Sequence, residues 1–359
     1  MPPAGESDVP GGSPIRRIPV ILLTGFLGSG KTTLLRKLLR EPGWSDAAVL
    51  INELGAVGLD HQLAWGASAS MLVLENGCIC CSARDDLVNT LEELFWNRLQ
   101  KKIPRFDRVI IETTGLADPG PVITELFSHP LIAERYRLES VVCIVDAVYG
   151  LQQLESHPES LSQAASADII LLSKIDIAAL ADVRLLESRL RGLNPLAAVH
   201  ADGALDAEFM RGAMAPNEAA HRVRLHANVD ALPADGEQSQ ARGSAGQPYL
   251  FHRRVRATVI RFDHPWELAA FTHAAHTAIE RYGERVLRIK GVIEVVEGRS
   301  GQVVVQVVGR MMFPFEDIVL PPAAKAQNFI VCITLGIADA DMRRAFVQRL
   351  PPPAVAADA

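Results

Sequence analysis

Three features of the sequence predict an α/β chain: a mainly parallel sheet packed with helices, followed by a smaller α+β domain. Short apolar runs recur at 18–23, 48–51, 71–74, 109–111, 141–145 and 169–172, with helical patterns between several of them, as strands buried on both faces require. The first run passes through a Gly-rich turn into a helical pattern. After a polar stretch at 231–247 the pattern changes to clustered strands with flanking helices. At 359 residues and 39.0 kDa the chain is long enough for two such domains, each with its own core.

Residues 1–15 are rich in Pro, Gly and Ser and are expected to form a disordered leader. The first domain is expected over 16–230. Its opening strand, 18–23, is β-rich and wholly apolar, and the helix after it places Leu34, Leu35, Leu38 and Leu39 on one face before Pro42 and Gly43 stop it. Ser82, Ala83, Arg84 and Asp85 fit a capping box, so a helix should run on with Leu87, Leu91, Leu94 and Phe95 facing the core. A linker is expected at 231–249, because this Gly/Pro/Ala-rich polar stretch has no hydrophobic period. In the second domain, 250–350, residues 254–261 alternate as a strand does, and 265–282 reads as a helix with Pro265 at its first position. Strands are expected at 286–296, 302–308 and 329–335, a closing helix at 339–350, and a loose tail at 351–359.

Composition narrows the function. Lys plus Arg number 36 against 42 Asp plus Glu, a net charge of −6, which argues against nucleic acid as a partner because that needs a basic field. No run approaches the roughly 18 apolar residues of a membrane helix, and the N-terminus lacks an apolar signal core. A cytoplasmic protein with no membrane partner is therefore expected. The chain has five cysteines, three of them within four positions. In a reducing compartment this pattern points to metal or redox chemistry, not a disulfide framework.

Gly25–Phe26–Leu27–Gly28–Ser29–Gly30–Lys31–Thr32 fits the phosphate-loop pattern GxxxxGK[ST], with a strand before it and a helix after it. Gly25, Gly28 and Gly30 let backbone N–H groups of the loop, Ser29 included, turn toward phosphate oxygens, and the helix start adds partial positive charge. Lys31 should reach the β- and γ-phosphates, the Thr32 hydroxyl should ligate Mg²⁺, and Thr33 completes the phosphate-holding segment. The run 109–111 ends in Glu112, placed to hold Mg²⁺ through water or to position the attacking water, and Thr113–Thr114–Gly115 follows, where a glycine can approach the γ-phosphate. The run 169–172 leads into Ser173–Lys174–Ile175–Asp176, similar to the guanine-reading NKxD sequence with Ser for Asn. The Asp176 carboxylate can accept from the N1–H and N2–H₂ of guanine, and the Lys174 stem can cover the ring face. Ser173, Lys174 and Asp176 are thus the expected base contacts, and GTP the expected nucleotide.

Cys78, Cys80 and Cys81 form a CxCC cluster ahead of the capping box. Soft thiolates suit Zn²⁺ or Cu⁺ rather than Mg²⁺. A helix start and the nearby Arg84 both favour the thiolate, and three sulfurs leave a fourth position open for exchange. A redox sensor and inert buried thiols are the competing readings. Cys143 and Cys332 lie in apolar runs and are expected in the core. His273 and His276 share a helix face without a Cys or acidic partner and are set aside as ligands.

Taken in order, the phosphate loop, the cysteine cluster, Glu112–Gly115 and the NKxD-like end resemble the CobW family of metal-chaperone P-loop GTPases, relatives of the urease- and hydrogenase-maturation GTPases. Asn52–Glu53–Leu54–Gly55 is similar to that family's NExG segment, with Asp60 where members often have Asp. Gly77–Cys81 matches its GCxCC signature, and Arg288–Ile289–Lys290–Gly291 with 302–308 resembles its C-terminal domain. The resemblance implies a P-loop NTPase fold and slow hydrolysis of GTP to GDP and phosphate. It also implies a transition metal, commonly zinc, carried at Cys78, Cys80 and Cys81 to a client protein, with homodimerisation allowed. Three residue-level departures stand out: Ala56 follows NExG where many members have Glu, the linker lacks a His-rich stretch, and Ser173 replaces Asn. The alternative reading is a P-loop kinase or ATPase with a structural or redox thiol site. A further reading is a metal- or redox-responsive switch that holds nucleotide without meaningful hydrolysis.

Overall fold

A computed structural model describes residues 17–40, 44, 46–51, 84–201, 255–296, 301–317 and 328–347. The expected leader, the strand at 71–74, the NExG segment with Ala56 and Asp60, the cysteine cluster, the linker and the tail lie outside the described residues.

The first half builds one parallel sheet of β1 (Ile18–Thr24), β2 (Ala47–Ile51), β3 (Arg108–Glu112), β4 (Tyr136–Asp146), β5 (Ile169–Ser173) and β6 (Ala198–His200), in the order β2-β3-β1-β4-β5-β6. Successive side chains of a strand face opposite sides, and β1 illustrates the consequence. Val20 and Leu22 join a core cluster with residues of α2 (Arg84–Leu99), α3 (Pro119–Ser128) and α4 (Pro130–Arg135). Ile21 and Leu23 face the opposite layer, where Leu34, Leu35 and Leu38 of α1 (Lys31–Leu38) pack with Trp44. The expected stripe on α2 is present: Leu87, Leu91 and Leu94 are buried and Phe95 packs against them. Beyond β4 come α5 (Gly150–Ser156), α6 (Pro158–Ser166) and, after β5, α7 (Leu180–Leu193).

The second sheet is antiparallel. It comprises β7 (Val255–Arg261), β8 (Val286–Glu294), β9 (Gln302–Val308), β10 (Met311–Met312) and β12 (Phe329–Leu335) in the order β10-β9-β8-β12-β7, with β11 (Glu316–Asp317) paired to β9. Helices α8 (Leu268–Tyr282) and α9 (Asp339–Val347) cover one face, burying Phe271, Ala275, Ile279, Met342 and Phe346 against Ile289, Val305, Ile330 and Cys332. The α8 helix starts later than Pro265. Trp266 is extended, bridges Val295, and donates its N–H to Glu294 O at 2.8 Å, so tertiary pairing overrides the helix-start signal of that proline. Trp266 still packs against Phe271, ring centroids 5.4 Å apart, but from the strand side.

The two sheets meet along α3, α6 and the β9–β10 turn. Val308 belongs to the first domain's core cluster, Phe127 of α3 meets Phe313 edge-on at 5.4 Å, and Ala165 of α6 is buried among Val259, Leu287, Val292 and Val331. A cavity of about 340 Å³ between the sheets is walled by Phe127, Tyr136, Met311, Met312 and Phe315, and no phosphate-loop residue lines it. Among the described residues no helix is long and apolar enough to cross a membrane.

Candidate nucleotide site

In a parallel sheet all carboxyl ends emerge along one edge, so the loops after β1, β3, β4 and β5 gather there. Those loops carry the phosphate loop, Glu112–Gly115, Asp146 and Ser173–Asp176. The phosphate loop has the backbone its glycines allow. Gly25 has φ 140°, and a Cβ there would sit 2.3 Å from Ile144 O. Gly30 caps α1 from a left-handed φ of 97°. Ser29 is fully buried, whereas Gly28 and Thr33 are exposed. Lys31 is buried under the loop and donates through Nζ to Gly25 O at 2.8 Å and Phe26 O at 3.2 Å. Its amine is thus held at the loop where phosphate would lie.

Thr32 Oγ1 donates to Glu112 Oε1 at 2.7 Å. These two positions are 80 residues apart in sequence; β3 pairs with β1 up to Leu23–Glu112, at the end from which the phosphate loop leads into α1 and Thr32. Glu112 is buried. Thr113 ties the ends of the two strands together, its N–H donating to Leu23 O at 2.9 Å and its hydroxyl lying 3.1 Å from Thr24 Oγ1. Gly115 lies against the phosphate loop itself: a Cβ would fall 2.6 Å from Leu27 N and 2.8 Å from Leu27 Cα. Only glycine lets these two loops touch.

On the other side of the phosphate loop, Ser173 has a task its sequence context did not indicate. Its hydroxyl donates to Ser29 O at 2.6 Å and so braces the loop from β5. Lys174 has a left-handed φ of 57° and donates Nζ to Asp146 Oδ2 at 2.5 Å. Non-glycine residues in that region cost about 1–3 kcal/mol and persist where the surroundings impose them. Asp146 anchors the Lys174 side chain. It is buried, and its other oxygen accepts N–H donors from Val148 at 2.8 Å and Tyr149 at 3.2 Å. Asp176 is exposed on the turn that follows. Sequence reasoning missed Asp146, although a signal existed: it closes an apolar run just as Glu112 does.

Cys143 and Cys332 are buried, and burial pushes the Cys143 thiol up to about 12 and the Cys332 thiol further in the same direction. Neither is placed for metal or redox chemistry. Among the described residues no group of three or more His, Cys, Asp or Glu could hold a metal, His273 and His276 included. The cysteine cluster at 78–81 lies outside them.

Comparison with known proteins agrees with this geometry. The family model described as "CobW/HypB/UreG, nucleotide-binding domain" matches residues 19–201, and that described as "Cobalamin synthesis protein cobW C-terminal domain" matches 255–350. A relative named zinc chaperone YjiA from Escherichia coli is 33% identical over 340 residues, covering 92% of this chain and 98% of the relative. One named zinc chaperone CobW from a Sinorhizobium species is 28% identical, covering 93% and 97%. The crystal structure of Zn(II)-bound YjiA GTPase from E. coli superposes with a TM-score of 0.65 at 27% identity, covering 92% of this chain and 98% of that one.

Proposed function

Since the chain belongs to the CobW family, we propose that it binds and hydrolyses GTP and uses the cycle to carry a transition metal, zinc foremost, to a client protein in the cytoplasm. The observation that carries the nucleotide half is the convergence at one sheet edge of a glycine-built phosphate loop, the Thr32–Glu112 pair and the Asp146–Lys174 pair. Lys31 and the loop N–H groups, from Gly25 to Thr33, hold the phosphates. Lys174 and Asp176 contact guanine, with Ser173 supporting the loop beneath. Thr32 and Glu112 offer a hydroxyl and a carboxylate oxygen in contact with each other, the hard donors that suit Mg²⁺. When bound, that ion neutralises charge on the β- and γ-phosphate oxygens. Glu112 orients the attacking water from its buried position. Switch GTPases lacking a partner turn over on the order of 10⁻⁴ to 10⁻² per second, and the same range is expected here.

The metal half is supported by the CxCC cluster, by its position between the phosphate loop and Glu112 in sequence, and by relatives named zinc chaperones. Cys78, Cys80 and Cys81 bind the zinc, and nucleotide state changes their grip on it. The test is metal analysis and zinc titration of the wild type and of the Cys78→Ala/Cys80→Ala/Cys81→Ala variant, each loaded with GDP or with a non-hydrolysable GTP analogue. Near one equivalent of zinc is expected in the wild type, with different affinity in the two nucleotide states. Full affinity in the triple variant overturns the metal site; identical affinity in both nucleotide states overturns the coupling.

A further inference from the structure

The nine-residue helix α6 is enclosed along almost its whole length: every residue from Ser160 to Ser166 is buried. Neither the phosphate loop nor the base segment belongs to it, yet it holds the loop that follows Glu112. Gln163 is fully buried and donates through Nε2 to Gly115 O at 3.1 Å and Ala117 O at 3.0 Å. Both neighbours are acceptors, which fixes which end of the amide faces them. One residue earlier, Ser162 Oγ donates to Asp118 Oδ1 at 2.7 Å, and that carboxylate oxygen also caps α3 by accepting from Gly120 N at 3.0 Å. Gly115 is the residue whose backbone lies against Leu27 of the phosphate loop. The loop beside the γ-phosphate position is therefore clamped by two adjacent side chains of α6.

The far end of α6 is held by the second domain. Arg288 of β8 donates through Nη1 to Ser166 O at 2.6 Å and through Nη2 to Asp168 Oδ1 at 2.5 Å, and Lys290 donates to the same carboxylate oxygen at 2.6 Å. All three charged side chains are essentially buried. A second contact reaches α3: Gly309 of the β9–β10 turn packs on Gly120, where a Cβ on Gly309 would lie 2.9 Å from Gly120 Cα. A close-packed element of this kind transmits displacement rather than absorbing it.

We propose that Gln163 is a positioning residue for GTP hydrolysis, and that α6 relays the seating of the C-terminal domain to the 113–118 loop. This rests on the nucleotide reading given above. Gln163 sets the height of Gly115 over the phosphate loop, and Arg288 sets where α6 stands. The linkage is reciprocal: a client that shifts the C-terminal sheet alters γ-phosphate discrimination, and γ-phosphate binding alters the face shown to the client.

The experiment compares wild type with Gln163→Met, which keeps reach but loses both donors, Ser162→Ala, a milder change, and Arg288→Met, which leaves Asp168 paired to Lys290. For each, affinities for GDP and for a non-hydrolysable GTP analogue, kcat and KM, and the melting temperature are measured. Positioning predicts GDP affinity near wild type, with kcat and the analogue-to-GDP affinity ratio each lowered roughly 2- to 30-fold. Ser162→Ala should shift them least and remains informative should Gln163→Met fail to fold. Unchanged kcat and ratio in folded Gln163→Met, or in Ser162→Ala where Gln163→Met does not fold, overturn the positioning role. A shift in those variants with none in Arg288→Met overturns the relay from the second domain. A wild type that binds no guanine nucleotide removes the nucleotide reading, and the proposal with it.

Discussion

Replacing Asp168 by Asn isolates the energetics of the domain contact. Asp168 is a single buried carboxylate facing two buried cations: Arg288 and Lys290 share its Oδ1, while Oδ2 accepts the Val141 N–H at 2.9 Å. The Asn variant keeps the shape but removes the anion that Arg288 and Lys290 share and places an NH₂ group among donors. Removing one partner of a buried ion pair costs about 3–5 kcal/mol, and each kcal/mol lowers Tm by about 2–4 °C in domains of this size. A fall of roughly 6–20 °C is therefore expected by calorimetry or circular dichroism. Arg288→Met should cost less, because one cation and one anion remain paired. Replacing all three by apolar residues, Asp168→Leu with Arg288→Met and Lys290→Met, should recover most of the loss, since the penalty is uncompensated charge rather than shape. The reasoning is refuted if Asp168→Asn melts within 2 °C of wild type, or if Arg288→Met is the more damaging change.

Further outcomes are expected elsewhere. Lys31→Ala should abolish measurable nucleotide binding by equilibrium dialysis, because it removes the amine that Gly25 O and Phe26 O hold at the phosphate loop. Asp176→Asn should shift preference from guanosine toward xanthosine nucleotide in competition binding, as the carboxylate's two acceptor sites become one acceptor and one donor. Burial lowers the Lys290 pKa below the ordinary lysine value and Arg288 adds to this, against the opposing pull of Asp168. Between the lowered value and the ordinary one, the unfolded chain binds more protons than the folded chain, so stability rises with pH across that window. Denaturant melts from neutral to alkaline pH should show a smaller rise in Lys290→Met than in wild type.

Much of the parallel sheet was legible because its causes are local: apolar runs of strand length, a glycine turn that side chains would block, and a leucine stripe on α1 and α2. The phosphate loop was legible for the same reason. What escaped depends on register. Ser173 reads as a base contact by its neighbours in sequence; its added hold on Ser29 O comes from the β4–β5 pairing and leaves no local sign. Asp146 meets Lys174 only because those strands end level. The start of α8 was misplaced because Trp266 found a strand partner in Val295. Arg288 and Lys290 did leave a trace. Two cations at alternate positions of an otherwise apolar strand point to one face, and a buried face can hold them only if an anion waits there.

Burial of Cys143 and Cys332 has a practical consequence for the whole family of experiments above. With both thiols sealed in the sheets and kept protonated, a thiol-selective reagent applied to the folded protein has only three of the five cysteines left to modify. Thiol labelling of the native chain thus tests the proposed metal site: fewer sulfurs labelled once a soft ion is added, and more again on nucleotide exchange, are the expected outcomes.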